Sequence, residues 1–115
     1  MKNHSCFLCR AIERQETLDI IYEDEHVICF MDPYPATKAH AVVAPKKHIE
    51  NMLKISNDDS EYVIKIHQGI QKAAKHLNIE ETGFRIIVNN GPDAEQELFH
   101  LHYHVIGGRK LKWEL

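Results

Sequence analysis

The sequence predicts an α+β domain, an antiparallel sheet of about five strands with one long helix and a short N-terminal helix on one face. Three observations lead there. Short β-branched runs follow one another with hairpin-length spacers, in the order β-β-β-α-β-β. A single long stretch carries an apolar repeat at three- and four-residue spacing. The chain has 115 residues, enough for one domain spanning 1–115 and too few for two.

Residues 6 to 15 lack Gly and Pro and set Leu8, Ala11 and Ile12 on one face, which predicts a short helix. Ile20 to Glu23 and Val27 to Met31 flank Asp24-Glu25-His26 as a hairpin. Asp32-Pro33-Tyr34-Pro35 interrupts the pattern, because proline lacks a donor and forces its predecessor to be extended. Ala39 to Ala44 resumes a strand that ends at Pro45. Ser56 or Asn57 can cap the long helix, with Asp58, Asp59 and Glu61 at its positive end. Tyr62, Ile66, Ile70, Ala73 and Leu77 form its apolar stripe, while Lys65, Gln68, Lys72 and Lys75 face water. Phe84 to Val88 is a strand closed by the turn Asn89-Asn90-Gly91-Pro92. A last strand runs from about Phe99 to Ile106 and stops at Gly107-Gly108.

Composition narrows the function. Hydrophobic residues make up 43% and charged residues 27%, the balance of a packed globular chain. Fourteen Lys and Arg against 17 Asp and Glu leave a net charge of −3 and no basic stripe, so a nucleic acid polymer is not an expected partner. No apolar run approaches the roughly 18 residues of a membrane helix, and no signal sequence follows Met1. A cytoplasmic protein without a membrane partner is the expectation. Three cysteines suit a reducing compartment, with Cys29 inside an apolar run as a buried small hydrophobe. The Cys6-Phe7-Leu8-Cys9 pair suits a metal clip, a redox motif or two buried thiols.

Histidine is the anomaly: nine in all, three of them within five positions. In an extended chain His100, His102 and His104 share one face about 6.6 Å apart, and Leu101, Tyr103 and Val105 point the other way. A buried imidazole needs a hydrogen-bond partner, so such a row is an improbable structural choice. Imidazoles in a row can ligate a metal, or one can act as a nucleophile while its neighbours orient it and bind an anion. Phosphorus suits the second chemistry, since a phosphoimidazole hydrolyses readily. For an all-His hydrolytic metal centre, no carboxylate follows His104 at short range.

The segment His100 to Ile106 resembles the His-φ-His-φ-His-φ-φ signature of the histidine-triad family. Its surroundings agree in order and spacing: Tyr22 to Val27, Phe30-Met31-Asp32, Val43-Ala44-Pro45-Lys46-Lys47-His48, Asn89-Asn90-Gly91 and Gly107-Gly108-Arg109. The likeness covers nearly the whole chain and is nearest to the branch of small nucleotide-binding phosphoramidases that work as homodimers. By that resemblance, His102 is the nucleophile that takes the nucleotidyl group from a purine nucleoside 5′-phosphoramidate or related conjugate. His104 and His40 flank it against the phosphate, Asn89 lies near the phosphate, and Asp32 accepts the ribose hydroxyls. The ligand is a purine nucleotide of the AMP or GMP kind, and no catalytic metal is expected. A carboxylate suits a diol because it is acceptor-only; Asp32 reads equally well as the turn residue before Pro33, and Asn89 as part of its own turn.

Between Asn89 and the triad the branch carries Gly-Gln-Ser or Gly-Gln-Thr, where this chain has Glu95-Gln96-Glu97. Gln96 and Glu97 are therefore counted with the nucleotide site, but Glu95 lacks the freedom of glycine and both carboxylates oppose an anion. A carboxylate at 97 also replaces a hydroxyl that helps the leaving amine. A non-catalytic nucleotide-binding module is the alternative these departures keep open, and a metalloprotein built on the His row is a third. Cys6, Cys9, His48 and His100 together have the Cys₂His₂ composition of a closed structural zinc site, and family members that begin with C-x-x-C resemble this set. His26, His67 and His76 match no functional position and are expected at the surface. The tail with Lys110, Lys112 and Trp113 is expected to reach toward a partner subunit, shortened by its early end.

Overall fold

The computed structural model describes residues 5–14 and 16–113. Helix α1 (Phe7–Ile12) precedes strands β1 (Ile20–Glu23), β2 (Val27–Met31) and β3 (Ala39–Pro45). Two 3₁₀ turns, Met52–Lys54 and Asn57–Asp59, lead into α2 (Ser60–His76). Strand β4 (Phe84–Ile87), a third 3₁₀ turn at Pro92–Ala94 and β5 (Tyr103–Gly107) complete the chain. The sheet has five strands in the order β1-β2-β3-β5-β4, and every neighbouring pair is antiparallel. The predicted class and strand count therefore hold.

The placement of the helices differs from expectation, and the reason lies in β2 and β3. Val27 to Phe30 and all seven residues of β3 are buried, so these strands are covered on both faces rather than one. Val27, Cys29, Ala41 and Val43 pack toward Ile66, Ile70, Ala73 and Ala74 of α2. Ile28, Phe30, Val42 and Ala44 point the other way and meet Leu8 and Ile12 of α1. The two helices thus take opposite faces. Within α2, Gly69 lets the helix backbone close on β3, since a Cβ there would stand 3.0 Å from Val43 Cγ1.

Local boundaries follow capping chemistry. Helix α1 is shorter than the 6 to 15 predicted because Arg14 takes a left-handed conformation with φ 65. Before α2, the Ser56 amide and hydroxyl reach Asp59 Oδ2 at 3.0 and 3.3 Å, closing a capping box one turn earlier than the helix itself. Strand β5 starts at Tyr103, not Phe99, because the Leu101 amide donates to Ile49 O at 2.6 Å instead of to a strand. Side chains still alternate through this segment: Leu101, Tyr103 and Val105 enter the α2 core. His26 is not a surface residue. Only 14% of its side chain is exposed, its ring stands edge-on to Tyr62, and its Nε2 lies 3.4 Å from Glu61. Cys29 is fully buried, and burial pushes its thiol up to about 12.

Candidate functional site

Strands β3 and β5 lie side by side with Val42 opposite His104 and His40 opposite Ile106. This register puts His40 and His104 at diagonal positions on the α1 face. Their rings meet 5.1 Å apart, and His102 follows 5.2 Å from His104. Helix α1 covers only part of this face. Beside it remains a cleft of about 480 Å³ whose apolar wall is Phe7, Leu8, Phe30 and Val42. The three imidazoles line the same cleft, together with Asp32, Asn89, Gln96 and Glu97. Seven residues singled out in the sequence thus gather in one place from five separate stretches of chain.

Backbone groups settle the protonation of each ring. His102 Nδ1 lies 2.7 Å from the His100 carbonyl, which can only accept, so this nitrogen carries the proton and Nε2 keeps a free lone pair. The Ala36 amide donates to His40 Nδ1 at 2.9 Å, so a neutral His40 holds its proton on Nε2. That proton is directed at His104 Nδ1, 2.9 Å away, leaving the proton of His104 on Nε2. Burial, reinforced by His102 and His40 and opposed by Asp32, lowers His104 to about 4. Burial also lowers His40, against the pull of Asp32. With its rings neutral, the row therefore combines one bare ring nitrogen with N–H donors, an arrangement for attacking an electrophile that bears anionic oxygens.

Asp32 serves its turn and also reaches the cleft. Its Oδ1 accepts the Tyr34 amide at 2.8 Å as a turn residue, while Oδ2 stands 3.2 Å from His40 Nε2 inside the cleft. Asn89 also serves its turn, its Nδ2 donating to the Ala94 carbonyl at 2.8 Å. Gln96 needs correction as a ligand-contacting side chain. Its Nε2 donates to Glu50 O and Leu98 O at 2.8 and 3.0 Å, and its Oε1 accepts the Gly91 amide at 3.0 Å. Both amide hydrogens and one lone pair of the oxygen are taken by backbone, so the Gln96 side chain shapes the loop from which it lines the cleft. Glu95 occupies a left-handed conformation, φ 57 and ψ 43, where glycine would be unstrained.

A carboxylate stands near the His row, brought from the turn after β2 and not from the residues that follow His104: Asp32, His40 and His104 converge closely enough to suggest a metal group. The Ala36 amide argues against it, because it keeps a proton on the His40 nitrogen that would have to be bare.

Cys6, Cys9, His48 and His100 form a second group. Cys6 N-caps α1, its sulfur accepting the Cys9 amide at 3.4 Å. His100 is fully buried, and its Nε2 donates to Pro45 O at 2.7 Å, so its bare Nδ1 faces the thiols. Burial lowers His100 to about 4, with His48 and His102 adding to it and the Pro45 bond opposing. Cys6 Sγ and Cys9 Sγ lie 3.3 and 3.6 Å from His100 Nδ1, and Cys9 Sγ is 3.3 Å from His48 Nδ1. Tetrahedral zinc, with bonds of about 2.3 Å to sulfur and about 2.0 Å to nitrogen, needs S–N edges of about 3.5 Å. The donor set and spacing fit that ion. Trp113 does not line the cleft of its own chain; Arg85 stacks over it at 5.7 Å.

The groups missed by sequence reasoning are main-chain ones: the Ala36 amide and the His100 and Pro45 carbonyls. No residue type signals them; only the fold brings them to a ring nitrogen.

Comparison with known proteins agrees with this geometry. The family model described as the HIT domain matches residues 13–111. A 13.1 kDa HIT-like protein of Mesomycoplasma hyorhinis is 42% identical over 98 residues, covering 84% of this chain and 86% of the relative. A HIT-like protein of Chlamydia trachomatis is 39% identical over 99 residues, covering 86% and 88%. Among solved structures, a HIT family hydrolase from Clostridium thermocellum superposes with a TM-score of 0.95 at 38% identity, covering 99% of both chains. A histidine triad protein from Clostridium difficile gives 0.91 at 38% identity, covering 97% of both.

Two predictions arise here. His104 binds its proton more weakly folded than unfolded, where an imidazole titrates near 6.5; the unfolded chain therefore takes up more protons as pH falls. Stability present above pH 6.5 should fall by about 2 kcal/mol toward pH 4 on this account, allowing for solvent screening, and His104→Asn should flatten that part of the curve in urea titrations. Glu95→Gly should raise unfolding free energy by about 0.5–1 kcal/mol, read from urea midpoints.

Proposed function

The chain belongs to the HIT domain family, and from that premise we propose that it is a nucleotide hydrolase or transferase acting through a covalent nucleotidyl-His102 intermediate. Its substrates would be purine nucleoside 5′-phosphoramidates or related nucleotide conjugates. The observation that carries the reading is the bond from His102 Nδ1 to the His100 carbonyl, which leaves Nε2 bare in a ring that lines the cleft.

In the first step His102 Nε2 attacks phosphorus and the P–N bond breaks. The amine leaves with that electron pair and takes a proton from water at the open cleft. As the ring becomes cationic, its Nδ1–H bond to the His100 carbonyl strengthens. His104, donating from Nε2, meets the phosphate oxygens, and His40 holds His104 in that tautomer. In the second step water attacks phosphorus, loses a proton to solvent and restores the His102 lone pair. Asp32 Oδ2 would accept the ribose hydroxyls, Asn89 would stand by the phosphate, and the Phe7, Leu8, Phe30 and Val42 wall would take the base. No step needs a catalytic metal. The alternative, a binding module without turnover, draws support from Glu95 and Glu97, whose carboxylates line the cleft where an anion must enter.

A structural zinc at Cys6, Cys9, His48 and His100 would tie α1 to the segment after β3 and to the triad, contributing stability rather than chemistry. Cys6, Cys9 and Cys29 are thiols rather than disulfide partners, which suits a reducing, cytoplasmic setting. No helix among the described residues is long and apolar enough to cross a membrane. At the sheet edge, β4 leaves Phe84 and Ile87 partly exposed, where a second copy would continue the sheet as a homodimer.

Wild-type protein should hydrolyse adenosine 5′-phosphoramidate, and His102→Ala should lower turnover roughly 10³-fold or more and abolish a trappable nucleotidyl-protein adduct. AMP binding without turnover in the wild type would transfer the argument to the binding module. Metal analysis should find one zinc per chain, lost together with several degrees of melting temperature in Cys6→Ser. Metal that survives that change but is lost in His102→Ala would place the ion on the His row instead.

A further inference from the structure

A second cleft, about 440 Å³, opens beside the first and shares Phe7, Glu97 and Leu98 with it. Glu97 therefore stands on the ridge between the two. The second cleft has an apolar surface of Phe7, Leu98 and Phe99 and an acidic one of Glu50 and Glu97, and its wall is completed by Ser5 and by Cys6 and His48 of the Cys-His group. Phe99 is 59% exposed and Leu98 is 36% exposed, although neither is needed by the fold cores. Among the described residues no Lys or Arg lines either cleft. The cations nearby in sequence are engaged: Arg10 with Glu16 at 2.9 Å, Lys46 with Glu23 at 2.6 Å, and Lys47 with Asp59.

We infer that this second cleft is the leaving-group subsite, and that it selects amines with an aliphatic or aromatic body ending in a positive charge. The inference rests on the nucleotidyl-transfer reading above. With phosphorus at His102 and the nucleotide in the first cleft, a departing amine longer than ammonia has an open route across the Glu97 ridge. Its carbon chain would cover Phe7, Leu98 and Phe99, and its distal cation would meet Glu50 and Glu97. The same carboxylates that oppose a bare anionic nucleotide then favour a conjugate whose leaving group offsets that charge. The strained Glu95, lining the first cleft, adds a further carboxylate on the substrate's path. When the P–N bond breaks, the amine nitrogen keeps the bonding pair and takes a proton from water to leave as the neutral amine; a second proton from solvent then gives a product charged at both ends.

The test compares two adenosine 5′-phosphoramidates: one of a straight five-carbon diamine with its far end free, and one of hexylamine, which has a methyl group in place of that ammonium. Wild type should favour the diamine conjugate in kcat/KM by about three- to tenfold, from two exposed ion pairs, with the margin shrinking as salt rises. Glu50→Gln should lower that margin while leaving hexylamine turnover unchanged, and Glu97→Gln should lower it too. Equal rates for both conjugates in the wild type overturn the subsite and leave the phosphoramidase reading intact. A margin that persists in both variants overturns it as well, because the charge would be read elsewhere. Absence of turnover with either conjugate overturns the nucleotidyl-transfer reading and this inference with it.

Discussion

A helix of six residues is about 9 Å long, and a five-stranded sheet offers far more surface than it can cover. The molecule is organised around that mismatch. On one face α2 runs for 17 residues and seals the core from Val27 to Val105. On the other, α1 reaches only Ile28, Phe30, Val42 and Ala44, and the remainder of the face becomes the cleft. On the α1 side of β3, Val42 and Ala44 lie under the helix, and the imidazoles of His40 and His104 stand beside it. Had the first helix been two turns longer, the His row would have needed to be apolar too.

Placing imidazoles at the border of a core is possible only because each finds a partner. His100 has Pro45 O, His102 has His100 O, and His40 has the Ala36 amide and His104. The partners fix direction as well as satisfying demand. His100 turns its bare nitrogen toward the thiols and His102 turns its own into the cleft, although the two residues are separated by one leucine. The Cys-His cluster and the nucleophile are therefore neighbours through His100 itself, whose ring serves one and whose carbonyl serves the other.

Much of this was legible in the sequence. The succession of elements along the chain, the long helix and the His alternation follow from periodicity, which backbone geometry enforces directly. The grouping of Cys6, Cys9, His48 and His100, and of His40 with the triad, came from likeness to a family and depends on contacts across some 90 residues that no local pattern encodes. The face taken by α1 escapes the hairpin pattern, since a continuous apolar run such as Val27 to Phe30 is what marks a strand covered on both sides. Strand β5 was read as too long because alternation survives in His100 to His102 even where the ladder does not. Gln96 was counted a ligand residue by position in a motif, whereas the demand of the 91–98 loop for backbone partners decides its role. His26 belongs to no motif, and its edge-on packing against Tyr62 is a tertiary fact.

The tautomers of His40 and His102 are held by main-chain groups, and this has a bearing on how such a protein can diverge. Point substitutions alter side chains; short of a proline at position 36, none deletes the amide that sets His40, and none at all deletes the carbonyl that sets His102. The reactive nitrogen is in that sense insulated from drift in its surroundings. The loop that carries Glu95 and Glu97 can exchange charge, size and hydrogen-bonding capacity while the chemistry beneath it stays poised, so new substrate preferences lie within reach of single steps at the rim.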